Sequence, residues 1–338
     1  MAASAPEQLS LPFRIETQVH PIADEVSAIT AVVRPILQGT LYALKADVVA
    51  EVGGFEQVTL RMLARLYRKG DGDCGLCFEY AVHEGLNRGE ASVLDRVTTA
   101  IAMCRVPGDR PASILFGAEK DGSQQIIETA SDLLTSHSSL LYGTQGRPVM
   151  LQRHLRTLAE AFRRQEARDL LPHSISGLWK ADLFLGTADA DKWVGTSVKI
   201  NPTHLAAARG LRIGVVPTRQ GRSDAVTKDD AKNLVVCPLP HDGEFMEIFY
   251  RGFGVVQQFI AADANLPAEV ALPLPVDRQV ARQLVDRRDF RVVDVIEALG
   301  PLAQPELLAT SEHAASMKSS GAVETGAVLA PKAMQVHA

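Results

Sequence analysis

Two apolar runs with charges inside them leave this chain few options: Lys180-Ala-Asp-Leu-Phe-Leu-Gly186 and Trp193-Val-Gly-Thr-Ser-Val-Lys-Ile-Asn201. Each is rich in large or β-branched residues and bounded by Gly or Asn-Pro, the pattern of a short strand. Between them Thr187-Ala-Asp-Ala-Asp-Lys192 is polar enough for a hairpin loop. Strand alternation puts Ser197 and Lys199 on one face and Val198 and Ile200 on the other. Pairing the two strands brings Asp182 towards the Ser197 and Lys199 face. Burying a charge without a partner is costly, so a carboxylate and an ammonium meeting on a buried sheet call for a reason.

Phosphodiester hydrolysis supplies one. A carboxylate such as Asp182 holds a hard divalent cation, and an ammonium such as Lys199 polarises an attacking water or stabilises charge on the phosphate. Upstream, Phe78, Val82 and Leu86 recur every four residues and predict a helix packed on the sheet. That helix also carries Glu79, a second candidate carboxylate, and His83, which reads as a solvated polar position.

With these residues in place, the chain resembles the PD-(D/E)XK nuclease superfamily. The shared core there is helix, three strands, helix and strand, with an acid on the first helix, Asp on the second strand and acidic-X-Lys on the third. The matching positions are Glu79, Asp182 and Ser197-Val198-Lys199, followed by a short helix in Thr203–Gly210 and a strand in Leu211–Pro217. Ser197 departs from the pattern, because an acid usually stands there. The resemblance implies an α/β fold with a three-layer, restriction-endonuclease-like core: a central mixed sheet flanked by helices, with an added helical N-terminal region and a helical insertion. It implies a Mg²⁺- or Mn²⁺-dependent endonuclease or nickase, DNA as partner with RNA left open, and a restriction or anti-phage setting. Asp182 and Glu79 would be the metal ligands, and Asp182, Lys199, Glu79 and Ser197 the catalytic set. A homodimer would ease cleavage of both strands, and an ATPase or other defence subunit would have to be another chain. The alternative is a nuclease-like fold without catalysis that binds nucleic acid or a partner protein.

Basic residues suggest where a nucleic acid would lie. Arg153, Arg163 and Arg164 fall on the polar side of an expected helix over Met150–Leu170, and arginine pairs well with phosphate. Arg219, Gln220, Arg222 and Lys228 lie in a loop after an apolar strand, where α/β folds usually place ligands. The formal net charge of -5 argues against non-specific coating of nucleic acid, yet leaves room for a local basic channel.

The remaining chain divides into a helical region over 1–70, an α/β core over 71–265 with a helical insertion at 90–175, helices over 266–305, and a tail from 306 expected to be disordered. Pro35 and Gly53-Gly54 are expected to break the first region. Helices are also predicted over Ala91–Met103, Gln124–Leu141 and Glu244–Ala264, with strands at Ser113–Gly117 and Asn233–Leu239. Four cysteines, with Cys74 and Cys77 forming the one CxxC, are too few for a disulfide framework and read as reduced thiols. No secretory leader and no membrane-length apolar run is visible, so a cytoplasmic protein is expected, with no membrane partner. P-loop, dinucleotide-binding, HExxH and G-x-S-x-G motifs are absent.

Overall fold

The computed structural model describes residues 13–16, 21–68, 70, 73–116, 134–141, 148–150, 154, 157, 164, 166–167, 181–205, 210–218, 221–241, 244–266, 272–303 and 328–331. The N-terminal helices are α1 (Pro21–Tyr42), α2 (Ala46–Glu51) and α3 (Leu60–Leu66), followed by α4 (Asp73–Arg88) and α5 (Ala91–Met103). After the sheet come α6 (Glu244–Ala261), α7 (Pro275–Asp286) and α8 (Val292–Leu299). Local chemistry sets several of these ends. Thr59 accepts from the Met62 amide to begin α3, and Glu90 accepts from the Ser92 and Val93 amides to begin α5. Gly53 and Gly54, at φ of 91° and 109°, end the run after α2 as expected.

Pro35 does not break its helix: α1 continues through it for 22 residues. The reason is burial. Ile29, Val32, Val33, Ile36, Leu37 and Leu41 are each 2% exposed or less, inside a core shared with α4, α6, α7 and α8. Burying one such side chain stabilises by roughly 1.5–3 kcal/mol, so several together outweigh the ~3 kcal/mol that an interior proline costs.

The strands are β1 (Phe13–Glu16), β2 (Pro111–Leu115), β3 (Ser139–Leu141), β4 (Val149–Met150), β5 (Leu183–Thr187), β6 (Lys192–Val198), β7 (Arg212–Pro217), β8 (Thr227–Asp229), β9 (Leu234–Leu239) and β10 (Val328–Pro331). Eight of them form one mixed sheet in the order β2-β5-β6-β7-β9-β8, with β3 joined to β6 and β4 to β3. The β2–β5–β6 pairs are antiparallel, while β6–β7 and β7–β9 are parallel. The other two, β1 and β10, pair antiparallel with each other, so part of the tail expected to be disordered is a strand. The fold is therefore α/β, an open mixed sheet flanked by helices.

One sheet face carries Leu183, Leu185, Val194, Val198, Ile213, Val215, Val235 and Cys237, which join the helices in a single apolar core. Phe184, Trp193, Val216 and Leu234 alternate with these on the opposite face and are buried too. Among the described residues no helix is long and apolar enough to cross a membrane.

The helix expected over Gln124–Leu141 is corrected at its end, where Ser139–Leu141 is strand β3. Asp191, in the β5–β6 turn, is the cause. Its carboxylate accepts from the Thr135 and Ser138 hydroxyls, each at 2.6 Å, and its carbonyl accepts from the Ser139 amide. The segment is thereby laid parallel along Lys192–Val194 of β6. Met150 pairs with Ser139 as part of β4, so the helix expected over Met150–Leu170 does not begin there, and most of that stretch lies outside the described residues. Of the crossover helix expected after Asn201, a single helical turn over Pro202–His204 is described, begun by the Asn201 side chain accepting from the Thr203 amide.

Candidate active site

Three elements meet at one end of the β5–β6 hairpin. Asp182 stands just before β5 and donates its amide to the Thr196 carbonyl at 2.8 Å, which extends the ladder by one residue. The register that pairs Leu183 with Thr196 sets Asp182 opposite Ser197. Lys199 stands just beyond β6, its amide donating to Val215 of β7 at 2.9 Å. Glu79 comes from α4, where Phe78 and Val82 are fully buried and turn that helix onto the sheet.

Three side chains converge here. The Lys199 ammonium donates to Asp182 Oδ2 at 2.7 Å and to Glu79 Oε1 at 3.2 Å. Asp182 Oδ2 also accepts from the Val198 amide at 2.9 Å, which fixes the carboxylate against the strand. Glu79 and Asp182 are 8% and 5% exposed, while the Lys199 side chain keeps 31% and opens the cluster to solvent. Burial draws the Lys199 ammonium down, but the charges of Asp182 and Glu79 and their hydrogen bonds outweigh it and hold Lys199 above its ordinary value.

Ser197 is buried on the Asp182 face, and its hydroxyl accepts from Arg212 Nη1 at 3.2 Å. Arg212 begins β7 and is only 3% exposed. The sequence carries a signal for it: a guanidinium inside the apolar run Leu211–Pro217 is as unusual as the charges at Asp182 and Lys199.

His83, one turn after Glu79, is not the solvated position its spacing suggested. It is half-buried, and its Nδ1 lies 3.0 Å from the hydroxyl of Ser113 on β2. Asn87 completes the group: its amide lies 3.3 Å from His83 Nε2 and its oxygen accepts from the Ser113 amide at 3.2 Å. Burial pulls His83 down to about 4. This network ties α4 to edge strand β2, beside the turn that carries Glu79.

Among the described residues no group of three or more His, Cys, Asp or Glu side chains gathers to hold a metal. What the cluster offers a cation is two carboxylates linked through one ammonium. Mg²⁺ commonly takes one or two protein carboxylates and completes its shell with phosphate oxygens and water. The donors thus fit Mg²⁺ in kind, with Asp182 and Glu79 as the protein's share.

The basic residues do not all join this cluster. Lys228 lies on β8 and pairs with Asp230 at 2.7 Å; three strand spacings, roughly 14 Å, separate β8 from β6. Arg222 is exposed in the turn before β8, and Arg164 is exposed as well. Arg153, Arg163, Arg219 and Gln220 lie outside the described residues. Cys77 is buried, with its thiol 3.5 Å from the Ile36 carbonyl, and Cys74 is half-buried.

No family model, curated protein or solved structure matches the chain.

Proposed function

We propose that the chain is a metal-dependent phosphodiesterase that cuts DNA, as an endonuclease or nickase. The reading rests on one observation: Glu79, Asp182 and Lys199, from a helix and two strand ends 120 and 17 residues apart from the lysine, close on a single ammonium. The order of elements supports it. Setting aside α5, β3 and β4, which intervene in the chain, the order α4, β2, β5, β6 and β7, with the four strands adjacent as β2-β5-β6-β7, is compatible with the helix, three strands, helix and strand of the PD-(D/E)XK core. Topology alone carries no activity, and the charged cluster adds the chemistry.

In this reading Asp182 and Glu79 hold Mg²⁺, which supplies positive charge at the scissile phosphate when bound. Lys199, the exposed member, orients the attacking water and stabilises the charge that develops on the phosphate. Ser197 favours a second reading, nucleic-acid or partner binding without cleavage, because its hydroxyl is already engaged by Arg212.

Supercoiled plasmid incubated with the full chain in Mg²⁺ or Mn²⁺ separates the two. Nicking or linearisation that EDTA stops and Lys199→Ala abolishes supports the phosphodiesterase. Intact plasmid in both metals, with DNA retained in a mobility-shift assay, supports binding without cleavage.

A further inference from the structure

One ammonium bridges the two carboxylates that would hold a metal. Lys199 Nζ sits between Asp182 Oδ2 and Glu79 Oε1, and the Arg212 guanidinium reaches Ser197, the residue that faces Asp182 across the hairpin. Two carboxylates therefore meet one ammonium. An isolated dication entering between these two carboxylate oxygens displaces the ammonium from them and leaves it as a like charge beside the ion. Like charges at such range in a partly buried site repel by on the order of a few kcal/mol. A phosphodiester changes the balance, because it brings one negative charge, an oxygen for the ammonium and another for the metal.

Building on the phosphodiesterase reading, we infer that Lys199 is a built-in placeholder for the metal, and that Mg²⁺ or Mn²⁺ enters the site together with a nucleic-acid phosphate rather than ahead of it. Metal and nucleic acid then strengthen each other's binding, since such coupling is reciprocal. Lys199 has two tasks in sequence: it neutralises the carboxylates in the free protein and turns to the phosphate when the metal takes its place. Ser197 fits this arrangement, because its hydroxyl, engaged by Arg212, leaves the two-carboxylate set without the third acid that would hold a metal in the absence of substrate.

The test titrates Mn²⁺ into the full-length protein without nucleic acid, followed by calorimetry, for the wild type, Lys199→Gln and the Lys199→Gln/Asp182→Asn double variant. Circular dichroism checks that each is folded. Glutamine keeps a hydrogen-bond donor and removes the charge. Lys199→Gln is expected to bind Mn²⁺ about tenfold or more tightly than the wild type, and the double variant is expected to lose that gain. No gain in Lys199→Gln overturns the inference, as does a gain that survives in the double variant, which would put the ion elsewhere. Wild-type cleavage of plasmid is scored separately, so the placeholder can fail while the phosphodiesterase stands.

Discussion

At the scale of single residues, the cluster is held by a contact whose energy is measurable. Asp182 Oδ2 accepts both from the Lys199 ammonium and from the Val198 amide, so truncating it removes the partner of a backbone donor as well as a charge. Lys199→Ala leaves two largely buried carboxylates without the ammonium between them. Each single change is expected to cost about 1–3 kcal/mol in urea unfolding. Asp182→Ala combined with Lys199→Ala is expected to cost about 1–2 kcal/mol less than the sum, because the two residues share one contact. Strict additivity would mean that the pair carries no interaction energy. Asp182 and Lys199 were legible in the sequence because charges interrupt apolar strands there. Glu79 was legible only with them, since an acid on an amphipathic helix is ordinary. Ser113 as the partner of His83 was not legible: the two are 30 residues apart, and only the packing of α4 on β2 makes them neighbours.

At the scale of elements, the position of α4 decides whether Glu79 reaches Lys199. Helix α1 approaches α4 closely at Gly39, where an added Cβ would lie 2.7 Å from Cys77 Cα and 3.0 Å from Cys77 N. Both are backbone atoms and cannot turn aside, and Cys77 stands two residues before Glu79. Gly39→Ala is therefore expected to push the helices apart, to destabilise the chain by about 1–3 kcal/mol and, under the proposed phosphodiesterase activity, to lower cleavage with it. Gly75, also in α4, has nothing within 4 Å of an added Cβ. Gly75→Ala is expected to be neutral or to stabilise by up to roughly 1 kcal/mol. Urea midpoints and plasmid cleavage of the two variants check this, and equal effects would remove the close approach as the cause. The β5–β6 hairpin and the parallel strands β7 and β9 were readable from composition and punctuation. Strand β3 was not, because its pairing depends on Asp191, more than fifty residues away in a turn, and α1 overrode its proline through burial that no local pattern records.

At the scale of the whole molecule, two groups shifted by burial oppose each other across the mildly acidic range. His83 is pulled from its ordinary 6.5 to about 4 by burial. Its contribution is complete above about pH 6.5 and is lost as pH falls through 4, because the unfolded chain takes up the proton first. Glu90, fully buried where α5 begins, is pushed by burial from 4.5 to about 7, against hydrogen bonds from Ser92 and Val93 and helped by the charge of Glu244. Its contribution has the opposite sense: complete below about pH 4.5 and lost as pH rises through 7. Between pH 4.5 and 6.5 one slope rises while the other falls, each by up to about 1.4 kcal/mol per pH unit. The two groups nearly cancel in the wild type, and removing either exposes the other. Measured by urea unfolding across this window and relative to the wild type, Glu90→Gln is expected to gain stability as pH rises, and His83→Gln to gain it as pH falls. Glutamine retains a carbonyl to cap α5 at the first site and an amide to reach Ser113 at the second, so the sign of each slope reports the lost titration rather than a lost contact. Parallel profiles for both variants would show that these two groups do not set the pH response of the fold.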